Sequence, residues 1–279
     1  MTRAGAALAL CVLAGCGGTG PSSPAAPAPA GGDFFESGDA RLHFVIDRPD
    51  GAGPFPAVVI GHGSGPVGTE DGAFYVPFLR TRGYAVLRYD KRGVGQSTGT
   101  YRGLSAANSV TQVDELAADM AAAVAFLATR PGIDGQRLGL MGTSQAGWIM
   151  VAAAGKTPLV RFTIAVTGSV EPVGLNIAYE NLQALPIDEA YAALATFDGR
   201  PGYDPAPTLA GLSAPTLWLL GGQDRLVPTR ACVTTLAGLQ ARGARAEPVV
   251  FPTVGHNLLG ADYWPAIDAF LRRHGLPAG

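Results

Sequence analysis

The stretch Leu140-Met141-Gly142-Thr143-Ser144-Gln145-Ala146-Gly147-Trp148 constrains the fold of this chain more than any other. An apolar run over residues 137–141 enters it and a small-residue helical run over 148–155 leaves it. A serine set among small residues between a strand and a helix marks a sharp elbow, in which the hydroxyl stands exposed above the edge of a sheet. The turn is so tight that large side chains near the serine would clash, and Gly142, Ala146 and Gly147 relieve that clash. The strict pattern has glycine where this chain has Ala146, a residue that is small but lacks the freedom of glycine at positive φ.

A strand-to-helix elbow needs a sheet of alternating strands and helices, and the chain supplies the alternation. Residues 41–46, 56–60, 84–89, 137–141, 162–166, 216–220 and 248–251 read as strands, most of them continuous apolar runs of the kind buried on both faces. Residues 73–81, 113–129, 148–155, 229–241 and 261–273 read as helices. Leu116, Met120, Val124 and Leu127 recur three or four residues apart, which gives the second helix one apolar face. This order predicts an α/β fold with a mostly parallel central sheet and helices on both faces. The 279 residues, 47% of them apolar, suffice for one such domain. Between 168 and 212 the alternation breaks. That region is longer than a crossover needs, and short helices are expected around 175–185 and 188–195. It is read as an inserted lid over the active edge of the sheet, with Glu171, Tyr179, Glu180, Tyr191, Phe197 and Tyr203 as its larger side chains.

Charge is sparse, 15% of residues with a formal net of −2, and no basic stripe exists, so nucleic acid is not an expected partner. No cluster of His, Cys and carboxylates has zinc spacing, and no metal or organic cofactor is expected. Cys232 falls in an expected helix and reads as a small buried apolar residue.

A serine hydroxyl becomes a useful nucleophile only beside a base, which a third group must orient. The chain has four histidines. His43 lies inside an early strand, His274 in the tail, and His62 in a glycine loop. His256 follows the last strand directly, where a parallel sheet presents ligand-facing loops, and is the expected base. Asp224, just past the strand over 216–220, is the expected acid. Its rivals Asp188, Asp198 and Asp204 follow no strand. A developing oxyanion needs two fixed donors. The backbone N–H of Gln145 is one candidate, and that of Ser64, in His62-Gly63-Ser64-Gly65, is the other.

With His62-Gly63-Ser64-Gly65, Asp90-Lys91-Arg92-Gly93-Val94-Gly95-Gln96-Ser97, Gly142 to Gly147, Gly222-Gln223-Asp224 and Gly255-His256 in this order, the chain resembles the α/β-hydrolase superfamily. Within it the likeness is to bacterial serine esterases and acyl-aminoacyl-peptidase-like hydrolases, over most of residues 33–276. The resemblance implies cleavage of a small-molecule ester or acyl substrate through an acyl-enzyme on Ser144. Peptide or amide cleavage and thioester cleavage use the same groups. The non-enzymatic alternative is a tethered binding lipoprotein. In the family the Asp90–Ser97 segment is mostly a structural turn near the mouth of the active site, with no catalytic role assigned to it, although Arg92 could touch substrate.

The N-terminus reads as an export signal over residues 1–15: Arg3 supplies a positive start and 4–12 an apolar run too short for a stable span. Leu13-Ala14-Gly15-Cys16 resembles the bacterial lipobox, which implies lipidation at Cys16 and a membrane anchor in the cell envelope, facing outside the cytoplasm. Residues 16–32, rich in Gly, Ser, Pro and Ala, read as a flexible tether, and the hydrolase domain is expected over 33–279.

Overall fold

A computed structural model describes residues 33–279. The export signal expected over 1–15, the lipidation candidate Cys16 and the tether lie outside the described residues. Eight strands form one sheet: β1 (Phe34–Ser37), β2 (Ala40–Asp47), β3 (Phe55–Gly61), β4 (Ala85–Tyr89), β5 (Ile133–Thr143), β6 (Val160–Val166), β7 (Thr216–Gly221) and β8 (Ala246–Phe251). Their spatial order is β1-β2-β4-β3-β5-β6-β7-β8. The β1–β2 and β2–β4 pairs are antiparallel, and every other pair is parallel. This is the mostly parallel central sheet expected from the alternation of strands and helices. The strand β1 has no counterpart among the expected elements.

The helices are α1 (Val76–Thr81), entered by a 3₁₀ turn at Ala73–Tyr75, α2 (Ser109–Ala128), α3 (Ala146–Lys156), α4 (Val173–Asn181), α5 (Ile187–Leu194), α6 (Ala206–Gly211), α7 (Thr229–Ala241) and α8 (Trp264–Arg273). The period-2 alternation of the strands assigns them to two layers. Val59, Leu140, Trp218 and Leu220 face one side and pack against Met120 of α2, Ile149 of α3 and Leu236 of α7. Their neighbours Val58, Ile60, Met141, Leu217 and Leu219 face the other side, against Leu79 of α1 and Phe270 of α8. Each fully buried aliphatic or aromatic side chain of this kind contributes about 1.5–3 kcal/mol. The core lies between the sheet and these two layers, so the sheet is a rigid platform and its carboxyl edge is free to carry loops.

The region expected as a lid holds three helices, not two. α4 and α5 form a small cluster of their own around Tyr179, Ala190 and Leu194. α6 was not expected. It is a covering helix, with Leu209 buried in the same cluster as α3 and α7. The α4–α5 pair is seated on the loop after β7: the Tyr179 hydroxyl donates to the carbonyl of Asp224 at 2.9 Å, and the Asn176 amide donates to that of Leu226 at 3.1 Å.

Candidate active site

The strand β5 ends at Thr143, α3 begins at Ala146, and Ser144 between them has a φ of 54°. A non-glycine residue held there costs on the order of 1–3 kcal/mol and persists only where its surroundings enforce it. The enforcement is visible. The Ser144 N–H donates to the carbonyl of Val166 in the adjacent β6 at 3.0 Å, and the Ser144 carbonyl accepts the N–H of Gly147 at 2.9 Å. Close backbone approach surrounds the turn. A β-carbon on Gly142 would lie 2.5 Å from the carbonyl oxygen of Gly61 and 2.6 Å from the methyl of Ala146. One on Gly147 would lie 3.0 Å from the α-carbon of Gly168. Ala146 is fully buried, its methyl occupying the space that Gly61 and Gly142 leave, which is how the chain accommodates the departure from the strict pattern.

Two strands away, Asp224 follows β7 and is 1% exposed. Its Oδ1 accepts the backbone N–H groups of Leu226 and Val227 at 2.8 and 2.9 Å, and its Oδ2 accepts Nδ1–H of His256 at 2.8 Å. Backbone amides thus hold the carboxylate, and the carboxylate holds the imidazole, leaving Nε2 as the acceptor. Ser144, Asp224 and His256 therefore stand at the carboxyl ends of β5, β7 and β8, all parallel strands within one sheet. Glu180 of α4 adds a carboxyl whose pKa is raised by burial and drawn back by His256.

The other histidines have different work. His43 lies in β2, donates through Nδ1 to Asp90 at 3.0 Å and accepts from Gln96. His274 donates through Nε2 to Glu247 at 2.8 Å. His62 is buried, donates through Nε2 to the Tyr89 carbonyl at 2.6 Å, and is pulled down to about 3 by burial and by the charge on Lys91, so it stays neutral. The rival acids are elsewhere: Asp188 pairs with Arg230 on the surface, Asp198 is exposed, and Asp204 caps the Ala206 N–H.

The segment from Asp90 to Ser97 is a structural hub. Asp90 accepts the N–H groups of Thr69 and Gln96 at 2.8 and 2.9 Å, and the Ser97 hydroxyl donates to the Asp90 carbonyl at 2.7 Å. Arg92 is corrected here. It is buried, makes two bonds to Asp119 of α2 at 2.8 and 2.7 Å and one to Glu115 at 2.5 Å, and anchors the turn to α2 instead of reaching substrate.

The glycine loop after β3 is fixed peptide by peptide. The Gly63 N–H donates to Asp71 Oδ2 at 2.9 Å and the Gly65 N–H to the Tyr101 hydroxyl at 3.1 Å. The carbonyls of Gly63 and Gly65 accept from Lys91 Nζ at 2.6 and 2.9 Å. Lys91 also donates to the side-chain oxygen of Gln145 at 3.1 Å. Gln145 is the N-cap residue of α3, and no side chain caps that helix, so the helix N-terminus presents its amides at the elbow. Sequence reasoning did not single out Asp71, Lys91 or Tyr101. Two aromatics of the expected lid, Tyr191 and Phe197, line a cavity of about 480 Å³ with Leu175, Arg230 and Thr234, between α4, α5 and α7.

The chain matches the prolyl oligopeptidase family over residues 73–271. It is 32% identical over 143 residues to a putative carboxymethylenebutenolidase of Salmonella typhimurium, an alignment covering 51% of this chain and 44% of that protein. It is 28% identical over 263 residues to esterase EstD of Thermotoga maritima, covering 82% of this chain and 62% of that one. The chain thus spans under two thirds of the length of these curated relatives. Among solved structures, an esterase of Pyrococcus furiosus superposes with a TM-score of 0.65 at 17% identity, covering 87% of this chain and 89% of that chain, a likeness of fold. The chain, an α/β hydrolase by fold, belongs to the prolyl oligopeptidase family.

Proposed function

We propose that the protein is a serine hydrolase that cleaves carboxylic esters through an acyl-enzyme on Ser144. The observation that carries this reading is the pair at 2.8 Å between Asp224 and His256, with the Asp224 carboxylate fixed by two backbone amides, on the sheet edge where Ser144 takes its left-handed turn. His256 Nε2 removes the Ser144 proton as Oγ attacks the acyl carbon, and the Asp224 carboxylate stabilises the imidazolium. The carbonyl oxygen takes up negative charge between the amides of Gln145 and Ser64. Collapse breaks the ester bond, and His256 returns its proton to the departing alcohol. The same histidine then deprotonates water, which attacks the acyl carbon and releases the acid and Ser144.

The esterase names among the relatives favour an ester substrate, and the family's name keeps amide cleavage in view. A fluorophosphonate probe tests the nucleophile: wild type labels and Ser144→Ala does not. Equal labelling of both, or of neither, would remove Ser144 from the reaction. A panel of p-nitrophenyl esters, acyl thioesters and aminoacyl p-nitroanilides then ranks the acyl bonds, with the esters expected to give the highest kcat/KM.

A further inference from the structure

We infer that Lys91 is a positioning residue for the oxyanion site: one ammonium ties the loop carrying the Ser64 amide to the residue carrying the Gln145 amide. The inference rests on the serine hydrolase reading above. Lys91 is 1% exposed, and a lysine is almost never so buried without partners that hold its charge. All three of its N–H donors are used, and all three go to neutral oxygens: the carbonyls of Gly63 and Gly65 and the side chain of Gln145.

The choice of carbonyls is informative. The Gly63 carbonyl and the Ser64 N–H belong to one peptide unit, and in a trans peptide they point in opposite directions. Holding the Gly63 oxygen on Lys91 therefore turns the Ser64 N–H away from Lys91. Asp71 fixes the peptide before it through the Gly63 N–H, and Tyr101 fixes the one after it through the Gly65 N–H. Three successive peptide planes are set, and Ser64 supplies the donor left over. The third bond of Lys91 reaches across to Gln145, at the start of α3. The distance between the two proposed oxyanion donors is thus spanned by a single side chain.

The charge acts in the same direction as the geometry. An ammonium bonded to the Gly63 carbonyl polarises that peptide and strengthens its N–H as a donor. Together with the N-terminus of α3 it places positive potential where negative charge develops. The groups that face Lys91 are the Asp71 carboxylate, which favours its charged form, the Tyr101 ring at 5.0 Å, and His62, neutral in its burial. The neighbouring Asp90 carboxylate is committed to Thr69, Gln96 and His43. Burial is the larger influence and pulls Lys91 down to about 8, so the group is mostly charged at neutral pH and loses its proton over a range accessible to kinetics.

The test uses Lys91→Met, which keeps an unbranched side chain as far as Cε and removes the terminal ammonium with its charge and its donors. A simple structural strut would show up as lost stability with kinetics of the folded fraction unchanged. A positioning residue predicts a kcat on p-nitrophenyl esters about 10- to 100-fold lower, in the range of losing part of an oxyanion site, with KM within about threefold. It also predicts that the wild-type rate of Ser144 labelling by the fluorophosphonate falls on the alkaline side near pH 8, and that this fall is missing in Lys91→Met. A Lys91→Met enzyme with kcat within twofold of wild type, or with the same alkaline fall, overturns the inference. Should Lys91→Met not fold, Lys91→Gln, which is also uncharged, takes its place and is judged by the same two outcomes, the loss of kcat and the loss of the alkaline fall. The two readings fail differently: loss of the Ser144→Ala difference defeats the hydrolase assignment, whereas Ser144-dependent labelling indifferent to Lys91 defeats only this one.

Discussion

Replacing Asp224 by asparagine separates two things that its carboxylate does. The Oδ1 atom satisfies two backbone N–H groups, and Oδ2 receives Nδ1–H of His256. An asparagine with its oxygen at the Oδ1 position keeps the first pair of bonds. Its nitrogen then faces His256 Nδ1 as a donor, which forces the imidazole proton onto Nε2, the atom that must accept from Ser144. The variant also removes the negative charge next to the imidazolium of the transition state. Charges about 4 Å apart at an effective dielectric near 20 interact by about 4 kcal/mol, and each decade of rate corresponds to about 1.4 kcal/mol. A fall in kcat of about three to four powers of ten follows, the scale expected when a triad loses its correct tautomer. Stability should change little, because the buried amides keep their acceptor. Asp224→Ala is the contrasting control. It orphans two amides at about 1–3 kcal/mol each, which at about 2–4 °C per kcal/mol for a domain of this size lowers Tm clearly. The assay is steady-state hydrolysis of a p-nitrophenyl ester alongside thermal unfolding of all three proteins. An Asp224→Asn enzyme with normal Tm and kcat within tenfold of wild type would refute the role given to the carboxylate.

Two further predictions concern groups near the site but outside the chemistry. Arg92→Ala leaves the fully buried Asp119 without its two-pronged partner and should cost about 3–5 kcal/mol, read as a lower urea midpoint, with kcat of the folded protein within twofold; normal stability with lost activity would return Arg92 to the substrate. His62 is held near 3 in the fold against about 6.5 when unfolded. Between those values the unfolded chain carries a proton that the folded chain lacks, so this contribution is fully present above pH 6.5 and declines by at most about 1.4 kcal/mol per unit as pH falls toward 3. His62→Gln, which keeps a donor for the Tyr89 carbonyl, should flatten the fall in urea-unfolding free energy between pH 7 and 4, and parallel curves for the two proteins would contradict it.

What could be foreseen from sequence divides along a physical line. β3 and β7 were legible because burial on both faces writes an apolar run into the chain. Asp224 was legible because it closely follows such a run, whereas β8, which precedes His256, is mostly half-buried and is marked in the sequence only by the short stretch Pro248-Val249-Val250-Phe251. β1 was not, because Phe34-Phe35-Glu36-Ser37 is too short for a period, and its identity as a strand comes from pairing with β2 and from Phe35 packing on Phe44, Tyr89 and Phe126. The first turn of α2 was missed because Ser109, Val110 and Thr111 carry no helical signal, with Val110 exposed. Lys91 was the hardest. Its partners are two backbone carbonyls and one amide side chain, and a carbonyl has no residue identity for a pattern to catch.

The same distinction explains the imperfect position in the elbow. The strict motif asks for glycine wherever another atom comes too close for a β-carbon. In this chain a β-carbon built on Gly61 or on Gly142 would run into the methyl of Ala146. A β-carbon on Gly61 would lie 2.9 Å from the Ala146 methyl and also 2.9 Å from the end of Met120 in α2. Met120 is flexible and can give way, whereas the Gly61 carbonyl, 2.5 Å from a β-carbon on Gly142, is backbone of the parallel ladder and cannot. The requirement for smallness therefore belongs to the contact between β3, β5 and α3, and the chain meets it at positions 61 and 142, leaving room for one methyl at 146. That methyl is fully buried and belongs, with Met120, to the core that packs against one face of the sheet, two residues after Ser144 with its φ of 54°. Seen from the packing, Ala146 meets the same demand for smallness at the turn, although a count of matched motif letters scores it as a defect.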